Sequence, residues 1–198
     1  AKDTLATWKA PGGVALNSDF TVKVRLQDGV WHTLSSYLIK VDEVRDTRHY
    51  VENASMAIFD FTGKVEVAVT YNLGEVQTAK VRPLSYDIPF QIDGNTVTFT
   101  LERPRNLSVE VNGDIFHNLH LFTGSPERTI PDKDNPEVIY FGPGIHTVKN
   151  GELRVPSGKT VYLAGGAVLM GRVLIENVHD VKLLGRGIID HSIKGGIR

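Results

Sequence analysis

The 198-residue chain contains no cysteine. Disulfide staples, thiolate metal sites and cysteine nucleophiles are therefore excluded. It also has little net charge, since 22 Lys and Arg against 23 Asp and Glu leave −1. Nucleic acids and anionic membrane surfaces are matched by a basic excess, so neither is expected as a partner. No run approaches the roughly 18 to 20 apolar residues of a membrane helix, and none reads as a signal peptide. The first residue is Ala1 rather than Met, and a secreted or periplasmic protein with its signal peptide removed is the expectation. What is present favours strands and turns. The 19 Gly and 9 Pro punctuate the chain often, and 41% hydrophobic residues supply a core.

The first two thirds read as short strands. Phe20, Val22, Val24 and Leu26 alternate with Thr21, Lys23, Arg25 and Gln27, the period of a half-buried strand. Asp28-Gly29 follows, and Val30 to Leu34 resumes the β pattern, which predicts a hairpin. Val65, Val67, Val69 and Tyr71 alternate in the same way, as do Val97, Phe99 and Leu101, and Leu107, Val109 and Val111. Asn112-Gly113 predicts a second tight turn, and further strands are expected at 37–45, 55–61 and 76–82. No segment here has a helical period. Many closely spaced alternating strands argue for an antiparallel β-sandwich; a small β-barrel is the rival that alternation alone leaves open.

From Thr123 to Pro136 the chain turns proline-rich and charged, with Ile130 as its one large apolar residue. This sets the expected domains: a β-sandwich (Ig-like) at 1–125, a linker at 126–136, and a second domain at 137–198. That second domain repeats. Tyr140 to His146, Tyr162 to Val168 and Leu183 to Ile189 can be laid over one another, with glycines at 144, 166 and 187. A second register sets Gly151 to Val155 over Gly171 to Ile175. A spacing near 20 with aliphatic strands and glycine corners predicts a β-solenoid. A leucine-rich repeat would need a Leu-x-x-Leu-x-Leu pattern that is absent, and two glycine-marked registers argue against a second antiparallel sandwich. The fold class is thus all-β: a sandwich followed by the first coils of a right-handed parallel β-helix. A solenoid needs at least about three repeats, so the natural chain is expected to continue past Arg198.

Val161 to Val168 followed by Val181 to Asp190 resembles the first coils of pectin-lyase-like β-helix glycoside hydrolases. The Gly185-Arg186-Gly187-Ile188-Ile189-Asp190 element is similar to one in the polygalacturonase family (glycoside hydrolase family 28). The sandwich, with Leu107 to Asp114, resembles the N-terminal domain of dextranase-like enzymes (glycoside hydrolase family 49). The resemblance implies hydrolysis of α-glycosidic bonds in a polysaccharide by paired aspartates, which in these families lie in later coils. His191 stands where the pectinase pattern has glycine, which argues against pectin as the substrate.

Within this chain no catalytic, cofactor-binding or metal-ligating residue is expected, and no cofactor. Asp190 reads as a corner residue bonding backbone amides rather than as a catalyst. His146, His179 and His191 fall at different phases of the repeat. His117 and His120, three apart in a strand, face opposite sides. Asp42, Glu43, Asp46 and Glu52, with Arg45 and Arg48, read as a solvated face. Among Trp8, Trp31, Tyr37, Tyr50 and Tyr71, most are expected in the core; Trp31, beside the Asp28-Gly29 turn, is the strongest candidate for stacking on a sugar ring. The leading expectation is the N-terminal part of a polysaccharide hydrolase, itself inactive, with a polysaccharide and its own later coils as partners. The alternative is a non-catalytic carbohydrate-binding or structural β-helix protein, such as an adhesin or tailspike. A β-helix lyase would need a basic Arg or Lys and calcium-binding acids, for which nothing here argues.

Overall fold

The computed structural model describes residues 2–190, without the side chains of residues 42–45. Among the described residues every regular element is a strand, apart from one short 3-10 turn at Leu84–Tyr86. The chain divides into two compact units, one of residues 1–8 and 15–126, the other of residues 9–14 and 127–198. The division therefore falls at Pro126, and residues 9–14 group with the second unit, which a reading of contiguous segments misses.

The first unit carries β1 (Thr4–Thr7), β2 (Phe20–Leu26), β3 (His32–Thr33), β4 (Tyr37–Arg45), β5 (Arg48–Thr62), β6 (Val65–Tyr71), β7 (Ala79–Arg82), β8 (Phe90–Asp93), β9 (Thr96–Leu101), β10 (Leu107–Val111) and β11 (Asp114–Gly124). They form a six-stranded sheet, ordered β1-β5-β11-β10-β7 with β4 on β5, and a five-stranded sheet, ordered β3-β2-β6-β9-β8. The alternating apolar residues of both sheets meet in one core. Val22, Val24, Val67, Val69 and Val97 from one sheet and Phe59, Phe61, Val109, Leu119 and Leu121 from the other belong to a single buried cluster. Each such side chain contributes about 1.5–3 kcal/mol relative to exposure.

The pairing departs from a purely antiparallel sandwich at one place. β11 runs parallel to β5, with Leu119 opposite Ser55 and Gly124 opposite Asp60. Hairpins impose antiparallel neighbours, but these two strands are joined by a long path through the other sheet, which frees their relative direction. The two predicted turns also differ. Asn112 and Gly113 both adopt positive φ (54° and 75°), and Val111 pairs with Asp114 across a two-residue loop, as a type I′ hairpin requires. At Asp28-Gly29 only Asp28 has positive φ (58°). The strands therefore do not close tightly: Val24 pairs with His32, and Val30 and Trp31 stand out of the sheet.

The second unit carries β12 (Val138–Phe141), β13 (Gly144–Arg154), β14 (Thr160–Leu163), β15 (Ala167–Leu174), β16 (Lys182–Gly185) and β17 (Ile188–Asp190). All pairing is parallel, in two three-stranded sheets, β12-β14-β16 and β13-β15-β17. Glu152 stacks on Arg172 and Leu153 on Val173, matching the second sequence register. The first register slips by one at two places: Gly144 pairs with Ala167 rather than Gly166, and the third segment is displaced at its start. Tyr140, Tyr162 and Leu184 are in line, and Phe141, Leu163 and Gly185 follow. A one-residue slip exchanges the two faces of a strand, so Leu183, not Leu184, continues the inward column begun by Ile139 and Val161. Gly185 lies opposite Leu163 in this register. Its φ is +115°, and a Cβ there would lie 1.9 Å from the Leu163 carbonyl oxygen. It is an obligatory glycine at a strand end, not the corner equivalent of Gly142. Val155, Val161, Leu163, Ala167 and Leu169 form the buried centre of this unit.

Candidate functional site

The five-stranded sheet turns its valines inward, so strand alternation puts the intervening residues on its outer face. Register lines them up. Arg25 on β2, Glu66 on β6 and Thr100 on β9 share one row, and Ala68, Thr98 and Gln91 share the next. The Arg25 Nε–H donates to a Glu66 carboxylate oxygen, pinning both side chains across the strands. The result is a polar floor built on rigid strands.

Loops raise walls around this floor. Trp31, carried by the wide β2–β3 connection, lies under the Arg25 guanidinium, 4.4 Å from Cζ to the ring centroid. On another side, the segment between Pro83 and Pro89 makes the 3-10 turn, closed by Tyr86 N–H to Pro83 O at 3.1 Å and Asp87 N–H to Leu84 O at 3.0 Å. This turn presents Tyr86, whose ring centroid is 4.4 Å from the Arg105 guanidinium. Arg105 is held in turn by Thr123. Its backbone N–H donates to Thr123 Oγ1, and that hydroxyl donates to the Arg105 carbonyl, both at 2.6 Å. Together these elements enclose an open cleft of about 870 Å³. Trp31, Tyr86 and Phe90 on its border keep 37%, 38% and 36% of their surface exposed. Two planar cations, each on an aromatic ring, thus flank a row of hydroxyl, amide and carboxylate groups.

The sequence candidates distribute differently. Trp31 stands at the cleft, while Tyr37 is buried and Tyr71 packs half-buried against the sandwich core. Trp8 is half-buried and Tyr50 exposed. Asp46 and Arg48 are exposed, whereas Glu52 accepts an ion pair from His117 Nε2 at 3.2 Å; the side chains of Asp42, Glu43 and Arg45 lie outside the described residues. His117 Nδ1 meets Asp114 Oδ2 at 2.8 Å. This bond, aided by the charges of Asp114 and Glu52, raises the imidazole pKa against the opposing effect of burial. Burial alone would raise Asp114, but hydrogen bonds from His117 and from the Phe116 backbone outweigh it and hold the carboxyl below its usual range. His120, opposite Met56 and Ser108, has its pKa lowered by burial. In the second unit, His146 Nε2 lies 2.6 Å from the Gly142 carbonyl and edge-on to Phe141, and His179 sits on Ser157. Asp190 is the last residue of β17, half-buried opposite Met170. His191 lies outside the described residues. Among the described residues no group of three or more His, Asp or Glu is placed to hold a metal ion.

Tyr86, Phe90 and Arg105 were not singled out by sequence reasoning. The available signal was the Pro83–Pro89 bracket, which carries large apolar residues in a segment that cannot be a central strand.

No protein-family model matches the chain, and no curated protein matches it by sequence. Among solved structures, the chain is similar to Dex49A from Penicillium minioluteum, with a TM-score of 0.68 and 17% sequence identity. The match covers 93% of this chain and 50% of that one, so this chain spans half the length of Dex49A. At that identity the likeness is one of fold, and it runs through both units of an all-β chain.

Proposed function

We propose that the chain is the N-terminal portion of a secreted or periplasmic polysaccharide-degrading glycoside hydrolase. In this reading the first unit is the accessory sandwich, and the second is the opening of a right-handed parallel β-helix whose later coils carry paired aspartates acting on α-glycosidic bonds. The observation that carries the reading is the fold likeness to Dex49A along 93% of the chain. The family resemblance of the Gly185 to Asp190 element points the same way.

The chemistry expected of those coils is general. One carboxylic acid protonates the leaving oxygen while a carboxylate activates water or attacks carbon, and their separation sets the stereochemical outcome. The non-catalytic alternative draws on the aromatic cleft, which a binding protein could use equally well. The test is a reducing-end assay on dextran and pullulan, comparing the 198-residue chain with one extended through its later coils. Turnover in the extended chain alone, abolished by Asp→Asn at a paired aspartate, is the expected result. An extended chain that folds, holds no facing aspartates and turns over neither glucan would leave the binding reading in its place.

A further inference from the structure

We propose that the cleft on the outer face of the five-stranded sheet is a binding subsite for a neutral polysaccharide chain, with Trp31 and Tyr86 as its two stacking platforms. The inference rests on the reading of the chain as part of a polysaccharide-degrading protein, and it assigns to the sandwich a ligand and a surface.

Three observations select the ligand class. The first is the pairing of exposed aromatic rings with a polar floor. A sugar ring has an apolar C–H face and a rim of hydroxyls, so it needs both surfaces together. Tyr and Trp have two broad amphipathic faces with few torsions to freeze; a guanidinium covers one face of each ring, and the part-exposed remainder is what a sugar would stack on. Thr98, Thr100 and Gln91 supply donors and acceptors in one plane below them. A purely apolar ligand would strip water from those groups and return nothing.

The second observation is charge. Arg25 and Arg105 stand against Glu66, Asp87 and Glu102 around the cleft. Arg25 is matched by Glu66, and the two arginines face three carboxylates around the cleft, so the lining carries no net positive charge to draw a uronate or phosphate chain. The guanidinium edges not engaged by Glu66 are suited to neutral hydroxyl acceptors. The third is shape and rigidity. The cleft is open, and its volume of about 870 Å³ lies within the roughly 300–1,000 Å³ of small-ligand sites, which suits a short run of sugar residues within a longer chain. Its parts are fixed before any ligand arrives: the Arg25–Glu66 pair clamps one side, and the Thr123 bonds clamp the loop of Arg105 on the other. Preorganisation of this kind reduces the ordering cost of binding.

The test is affinity electrophoresis of the 198-residue chain in gels containing dextran, pullulan or polygalacturonate. Retardation by at least one of the two neutral glucans and not by polygalacturonate is expected. W31A and Y86A are each expected to weaken it at least about tenfold, as loss of a central aromatic anchor does. W31F, which keeps a ring, should retain most of the affinity, and equal thermal midpoints would show that the variants are folded. The proposal is overturned if neither neutral glucan retards the protein, if W31A and Y86A migrate as the parent does, if W31F loses affinity as fully as W31A, or if polygalacturonate binds as well. Each of those results removes the subsite while leaving the hydrolase reading intact, because that reading is decided by turnover in the extended chain.

Discussion

In the sandwich, Val22, Val24, Phe59, Phe61, Val67 and Leu119 all reach 0% exposure between two sheets. In the stacked unit, Val161 and Leu169 reach 0%, but Leu183 in the next tier stays 46% exposed. The first core is closed, because each sheet covers the other. The second is built from two parallel three-stranded sheets whose last strands, β16 and β17, each have one paired neighbour among the described residues. The sandwich is therefore expected to behave as a self-sufficient cooperative unit, and the stack as the less stable of the two.

Paired substitutions can break this comparison, and they carry the largest expected effects. F59A removes a fully buried ring stacked on Phe61, with centroids 5.7 Å apart. It should destabilise the sandwich by about 3–5 kcal/mol. G185A forces a Cβ into the Leu163 carbonyl at positive φ and should destabilise the stack by about 2 kcal/mol or more. Trp31 lies well inside the first unit, so the fluorescence of a W8F background reports the sandwich. F59A should lower the fluorescence midpoint. G185A should leave it in place while the far-ultraviolet circular dichroism loses an early-melting component. A fluorescence midpoint that falls equally in both variants would show that the units unfold as one.

A smaller effect is expected at the start of β11. The raised pKa of His117 means that its charged form is favoured in the folded state. That stabilisation is complete below the unfolded value near 6.5 and is lost as pH rises through the higher folded value. Asp114 acts in the opposite sense: its lowered pKa stabilises the fold above the ordinary value of 3.8 and is lost as pH falls through the depressed one. The cluster therefore contributes most between about pH 4 and 6.5. His120, lowered by burial, opposes this trend, because protonating it on acidification costs stability. H117Q should flatten the decline in sandwich stability on the alkaline side of that window. Both partners are substantially exposed, so the change should stay below about 1 kcal/mol. Urea midpoints measured at pH 5 and pH 8 for parent and variant check the sign, and an unchanged pH slope in H117Q would exclude the cluster as its source.

Much of the strand pattern was legible because alternation is written locally. Val65 to Tyr71, Thr96 to Leu101 and Leu107 to Val111 show period two and are strands β6, β9 and β10. Partner choice is not local. Nothing near Leu119 or Ser55 in the sequence announces that β11 and β5 run parallel, since their direction follows from the path of the intervening chain. Glycine was a good marker of the repeat but an ambiguous one of register. Gly142 and Gly185 look equivalent in sequence, yet only Gly185 has a neighbouring carbonyl where its Cβ would be. Trp31 could be singled out because it follows a turn signal, whereas Tyr86 and Arg105 become neighbours only when two distant loops close over one sheet face.

Hydrogen exchange at the strand edge tests the account most directly. The proposal at stake is that further coils stack on β16 and β17 of the second unit. The amides of Lys182–Gly185 and Ile188–Asp190 should exchange rapidly in the 198-residue chain. In a chain extended by the proposed coils they should become at least about tenfold more protected, while Val65–Tyr71 in the sandwich stays unchanged. Equal protection of those edge amides in the two proteins would contradict the claim.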